Sequence, residues 1–192
     1  MSVMNAPLTN TSVNYFIDQA IGTPTSDEDP LFFTKRALND RGLVLCRVSD
    51  FAGWSAMRTF LLSRAEKKDG TDNGQAEISR TDPMSKLSMH FGMMIRKVDN
   101  DNTELDTCCG VVTFFFGYST WDGRILYVDS LEYDDTKGHA SDKDQGTGEA
   151  VEIAMLQTLA YVAVHLDCSR LTWRVSDTCA PDGSEPLMCH SQ

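Results

Sequence analysis

Basic residues are scarce in this 192-residue chain, with 17 Lys+Arg against 28 Asp+Glu and a net charge of −11. That deficit argues against nucleic acid and anionic membrane surfaces as partners, because both are held by basic patches. It is compatible with a cationic ligand. Long apolar runs are also missing: the longest, near Gly110–Tyr118, is far short of the roughly 20 residues that a membrane-spanning helix needs. Met1–Thr11 shows no basic region followed by an apolar block, so no signal peptide is expected. There is no C-x-x-C pair, and His90, His139, His165 and His190 have no zinc-ligand spacing, so no metal is expected. The cysteines, Cys46, Cys108, Cys109, Cys168, Cys179 and Cys189, are scattered, and the simplest reading is reduced thiols in a cytoplasmic protein. Internal repeats are absent.

What is present is an ordinary globular composition, 41% hydrophobic and 23% charged, in a chain long enough to bury a core without disulfides. Residues 1–42 are rich in Asn, Thr, Ser and Pro and acidic around Gly22–Pro30, which predicts a flexible acidic leader. One domain is then expected over 43–175, followed by an irregular C-terminal tail over 176–192. Leu43–Val48 is β-branched and apolar, hence a strand. Ser49 and Asp50 cap a helix to about Ala65, with Trp54, Met57, Phe60 and Leu61 at helical spacing. A weaker helix is expected near Asp82–Ser88. Strands follow at His90–Val98, Cys108–Tyr118 and Arg124–Tyr133, joined by turns at Asp99–Asp106 and Trp121–Gly123. Phe114–Phe116 and Met93–Met94 read as buried strand core, and Cys108–Cys109 as inert thiols. A long helix over about Glu149–Leu166 carries Val151, Ala154, Met155, Thr158, Leu159, Val162 and Ala163 on one face, and Cys168–Val175 is the last strand. The order predicts an α/β fold: a mixed sheet with an antiparallel central meander, flanked by helices, whose last helix crosses over to a further strand.

The segment Lys143-Asp-Gln-Gly-Thr-Gly148 sits between a strand and the long helix. Its glycines let backbone approach a ligand, and free N–H groups at a helix start favour phosphate. No Gly-Lys-Ser/Thr follows, so it is not a P-loop, and Val151 stands where a dinucleotide fingerprint has its third glycine. A glycine turn without ligand is the plainer alternative.

The block Gly110–Tyr133 resembles the central hairpin of the GNAT acyl-CoA N-acetyltransferases, and most of all their diamine (spermidine/spermine) branch. Trp121, Gly123, Leu126, Tyr127 and Asp129 match that branch in order, and Lys143–Gly148 is similar to the family's R/Q-x-x-G-x-G/A pyrophosphate loop. The likeness covers roughly Leu43–Val175. It implies acetyl-CoA as co-substrate, with the pantetheine and thioester carbonyl held by backbone of Leu131, Glu132 and Tyr133. The pyrophosphate would lie on Lys143, Asp144, Gln145, Gly146, Thr147, Gly148 and Glu149. It implies Asp129 as the catalytic acid–base group beside the amine, with Trp121 and Glu132 joining it in substrate binding, and a homodimer. A carboxylate there suits the chemistry, because an alkylammonium must lose a proton before attacking a thioester. Asp134 and Asp135 add to an acidic group that would draw a polycation.

Departures from the pattern are a longer loop over Asp134–Asp142, and Glu149 directly after Gly148, close to the phosphates if its side chain turned inward. The sequence ends at Gln192 without the helix on which the family carries its general-acid tyrosine, so the fold is expected to be truncated there. The expectation is therefore acetyl transfer to a primary amine of a polyamine or small diamine. The alternative is a catalytically impaired binding or regulatory protein of the same fold.

Overall fold

Five segments rich in aliphatic, aromatic and other strand-compatible residues form one sheet. They are β1 (Leu43–Val48), β2 (Phe91–Lys97), β3 (Thr107–Ser119), β4 (Gly123–Tyr133) and β5 (Arg170–Trp173). The computed structural model describes residues 8–21, 26–68, 90–97, 107–134 and 147–173. The helix expected near Asp82–Ser88, the turn over Asp99–Asp106 and the tail over 176–192 lie outside them. Spatial order follows chain order; β1 to β4 pair antiparallel, and β5 adds parallel to β4. This is the mixed sheet with a central meander that the sequence predicts. The β3–β4 turn uses Gly123 at φ 87°, a backbone region that side chains disfavour, while Ser119 Oγ accepts the N–H groups of Trp121 and Asp122 at 3.2 Å.

Helices cover both faces. On one lies α3 (Phe51–Lys68), started by Asp50, whose Oδ1 accepts the Gly53 N–H at 2.7 Å. Its Met57 and Phe60 are buried with Val48, Met94 and Val111, and Trp54 and Leu61 pack against them. On the other face lie α1 (Asn10–Ile21), α2 (Phe32–Asn39) and α4 (Thr147–His165). All seven residues expected on the inner face of α4 are buried. That helix comes close to β3 at Gly110, where an added Cβ would run into Met155 and stand 2.7 Å from Val151 Cγ1.

The flexible leader expected over 1–42 is corrected by α1 and α2, which pack on α4 and β1. Val13, Ile17, Ala20, Leu31 and Leu38 belong to the main core. The reason is local and physical. Thr9 and Ser12 cap α1 reciprocally, the Ser12 N–H donating to Thr9 Oγ1 at 3.1 Å and the Thr9 N–H to Ser12 Oγ at 3.2 Å. Val13, Ile17 and Ala20 then share one helical stripe. Two acidic residues of this region are held by basic side chains: Arg47 on β1 grips Asp18 at 2.7 and 3.3 Å. Lys35 bridges Asp29 at 2.7 Å and the Gln19 carbonyl at 3.1 Å. Burial alone would raise the Asp29 carboxyl, but the Lys35 and Leu31 hydrogen bonds and the Lys35 charge leave it below its ordinary value.

The end of α4 turns sharply into β5. Asp167 has φ 54°, and the Cys168 N–H donates back to the Ala163 carbonyl at 2.9 Å. Arg124 on β4 donates to the Leu166 carbonyl, and the Ser169 N–H returns a bond to the Arg124 carbonyl at 2.8 Å. Burial pushes the Cys168 thiol from its ordinary value near 9 up to about 11. No helix among the described residues is long and apolar enough to cross a membrane.

Two outcomes follow. Ile17→Ala should cost about 2–5 kcal/mol in urea denaturation, the penalty of a core cavity; a surface-sized loss would mean α1 is not part of the core. The raised Cys168 thiol favours the folded state below pH 9, and that contribution is lost as pH rises from 9 towards 11. Thermal melts of Cys168→Ala should therefore decline less over that window than those of the parent chain.

Candidate active site

β4 changes the parity of its apolar residues midway. Leu126 and Val128 enter the core beneath α4, and so do Leu131 and Tyr133. Strict alternation cannot do this, since one face of a strand takes every second residue. The ladder solves it by skipping a residue: Phe114 pairs with Val128 and the next β3 residue, Thr113, pairs with Ser130. Asp129 is the extra residue, a β-bulge, and bulges re-aim side chains in this way. Its side chain is 55% exposed.

Beside the bulge an aromatic row crosses the sheet on the face that α3 covers elsewhere. The Phe115 and Tyr127 rings stack at 5.2 Å and 14°, and His90 meets Phe115 edge-on at 5.1 Å. His90 Nε2 stands 3.8 Å from Asp129 Oδ2. Phe115, Tyr127, Val128, Asp129, Thr172 and Trp173 line a cavity of about 460 Å³. The described pairing of β4 with β5 ends at Val128–Trp173, and β4 runs on through Asp129–Tyr133.

Of the residues expected in the site, Asp129 lines this cavity. Glu132 lies a few residues along β4, half-buried opposite Val111. Leu131 and Tyr133 are partly buried, with their side chains packed against the core. Trp121 is not brought to Asp129. It sits 94% exposed on the β3–β4 turn, and Gly123 to Asp129 alone spans about 20 Å of strand. Lys143, Asp144, Gln145 and Gly146 lie outside the described residues. Thr147 opens α4, Gly148 is buried, and Glu149 is exposed. Asp134 leaves the expected acidic group: it is buried, with Arg64 NH1 of α3 at 3.4 Å and its own N–H on the Cys109 carbonyl at 2.8 Å. Asp135 is outside the described residues.

The sequence reading missed His90, Phe115, Tyr127, Thr172 and Trp173. Alternation held the signal for Phe115: Phe114 is fully buried, whereas its neighbour lines the cavity. Among the described residues no group of three His, Cys, Asp or Glu stands close enough to hold a metal ion. What the arrangement offers is one carboxylate at the mouth of an aromatic cleft. It can attract an ammonium group and pass its proton on.

No family model and no curated protein matches the chain. Solved structures do. It is similar to an aminoglycoside acetyltransferase from an uncultured soil metagenomic sample, at 13% identity over 72% of this chain and 80% of that one, with a TM-score of 0.47. It is also similar to ribosomal-protein-alanine N-acetyltransferase from Brucella melitensis biovar Abortus 2308, at 16% identity over 71% and 82%, with a TM-score of 0.46. A Trypanosoma brucei acetyltransferase is similar at 11% identity over 70% and 84%, with a TM-score of 0.42.

The cleft wall depends on Gly117, where an added Cβ would stand 2.6 Å from Tyr127 Cε2. Gly117→Ala should force the Tyr127 ring off its seat and break the stack on Phe115. Near-UV circular dichroism should fall while the far-UV spectrum holds; an unchanged near-UV signal would contradict the packing described.

Proposed function

We propose that the chain is an acetyl-CoA-dependent N-acetyltransferase acting on a primary amine. The observation that supports it best is the bulge at Asp129, which sets a carboxylate at an aromatic cleft just where β4 runs on past its described pairing with β5. In this reading Asp129 attracts the ammonium and takes one proton from it, directly or through water. The neutral nitrogen attacks the thioester carbonyl carbon, whose oxygen is polarised by backbone of Leu131–Tyr133. The N–C bond forms and the C–S bond breaks. The second nitrogen proton goes to the departing thiolate, giving the amide and free CoA thiol. The start of α4, with Gly148 buried at its first turn, would face the pyrophosphate.

A polyamine or small diamine is the acceptor class that the sequence resemblance implies, and Asp129 with Glu132 supports a cation. Asp134 is held by Arg64, so fewer carboxylates are available than a long polyamine would engage, which favours a small amine.

The test is thiol release from acetyl-CoA in the presence of 1,4-diaminobutane, spermidine and simple alkylamines. Turnover is expected, and Asp129→Asn should lower kcat on the order of 10²-fold, the scale of lost acid–base assistance. CoA should raise the melting temperature of both proteins. A CoA-dependent shift with no turnover would leave a binding protein, and no shift would overturn the proposal.

A further inference from the structure

We infer that His90 receives the proton that Asp129 takes from the acceptor amine and hands it on to water, a role that rests on the acetyl-transfer reading and deepens it. His90 acts through Asp129 and is a positioning residue, because the imidazole is not among the side chains that line the cleft. Its Nε2 lies 3.8 Å from Asp129 Oδ2. A small turn of the Asp129 side chain, or one bridging water, closes that gap.

Two neighbours fix where the imidazole stands. His90 immediately precedes β2, and alternation puts its side chain on the same face as position 92. At that position an added Cβ on Gly92 would stand 3.0 Å from Trp54 Cη2 and from Met57 Cε, so α3 closes over the sheet there. On the other side Phe115 meets the imidazole edge-on, with ring centroids 5.1 Å apart and planes at 61°. The His90 side chain is left 17% exposed, against 55% for Asp129. Its contact with water therefore does not pass through the cleft.

The chemistry has use for such a group. An ammonium seated on Asp129 covers the open side of the carboxylate. Once Asp129 has taken the proton it is a neutral acid, and it must lose that proton before it can draw in the next ammonium. An imidazole takes up and gives up a proton near neutral pH. The transfer balances. One N–H bond of the amine breaks, the proton passes from Asp129 to His90 Nε2, Asp129 returns to carboxylate, and His90 releases the proton to water. The second nitrogen proton leaves with the thiolate.

Thiol release from acetyl-CoA with n-butylamine and 1,4-diaminobutane tests this on the whole chain. His90→Gln keeps an N–H donor in reach of Asp129 but cannot carry a proton. It should lower kcat on the order of 10²-fold while KM for acetyl-CoA stays within about twofold. His90→Ala should fall as far, and added imidazole should restore its rate roughly tenfold. Because both side chains handle one proton, the double variant His90→Gln with Asp129→Asn should be no slower than Asp129→Asn alone. Full kcat in His90→Gln, no recovery of His90→Ala with imidazole, or losses that multiply in the double variant would each overturn the relay and leave the transferase reading in place. A CoA-dependent rise in melting temperature checks that each variant has kept its fold; if His90→Ala has not, His90→Gln and the double variant decide. No thiol release by the parent chain would overturn the transferase reading and the relay with it.

Discussion

The single residue skipped in the β3–β4 ladder sets the face on which every later side chain of β4 lies. Were Asp129 paired in register, Ser130 and Glu132 would enter the core beneath α4, and Leu131 and Tyr133 would face the other way. The apolar residues of β4 change parity between Val128 and Leu131, and only an extra residue between them reconciles both halves with one core. The same residue is left out of the pairing, so its carboxylate is aimed by the bulge. The packing of the core and the position of the candidate acid–base group thus share one cause.

Around that constraint the sheet is covered unequally. Three helices bury one face with a continuous core that runs from Val13 to Leu166. On the other face α3 covers the β1–β2 side through Met57 and Phe60. The aromatic row of His90, Phe115 and Tyr127 lies towards β4 and β5, with the cleft opening beside it. Arg64 joins the two regions, because it comes from α3 and meets Asp134 at the end of β4.

Much of this was legible from residue order. The central strands and the inner face of α4 followed from β-branched runs and from helical spacing, both of which depend only on near neighbours. α1 was hidden by composition: Asn, Thr and Ser suggested a mobile leader, while Thr9-x-x-Ser12 and the stripe Val13, Ile17, Ala20 carried the real signal. The site was read less well. Asp129 was singled out through its motif, but the same motif placed Trp121 with it, and a strand about 20 Å long separates them. Asp134 was counted as an available charge because its partner lies 70 residues away in sequence. Phe115 was grouped with Phe114 and Phe116, although alternation sends it to the opposite face.

The central claim is that the bulge at Asp129 organises an acceptor site beside a thioester held by the far end of β4. The most direct measurement is a crystal structure of the chain with a non-reactive acetyl-CoA analogue and an amine bound together. The account predicts the amine nitrogen within hydrogen-bond distance of the Asp129 carboxylate and the analogue's carbonyl against the backbone of Leu131–Tyr133. An amine bound away from Asp129, or an analogue that avoids β4, would contradict it.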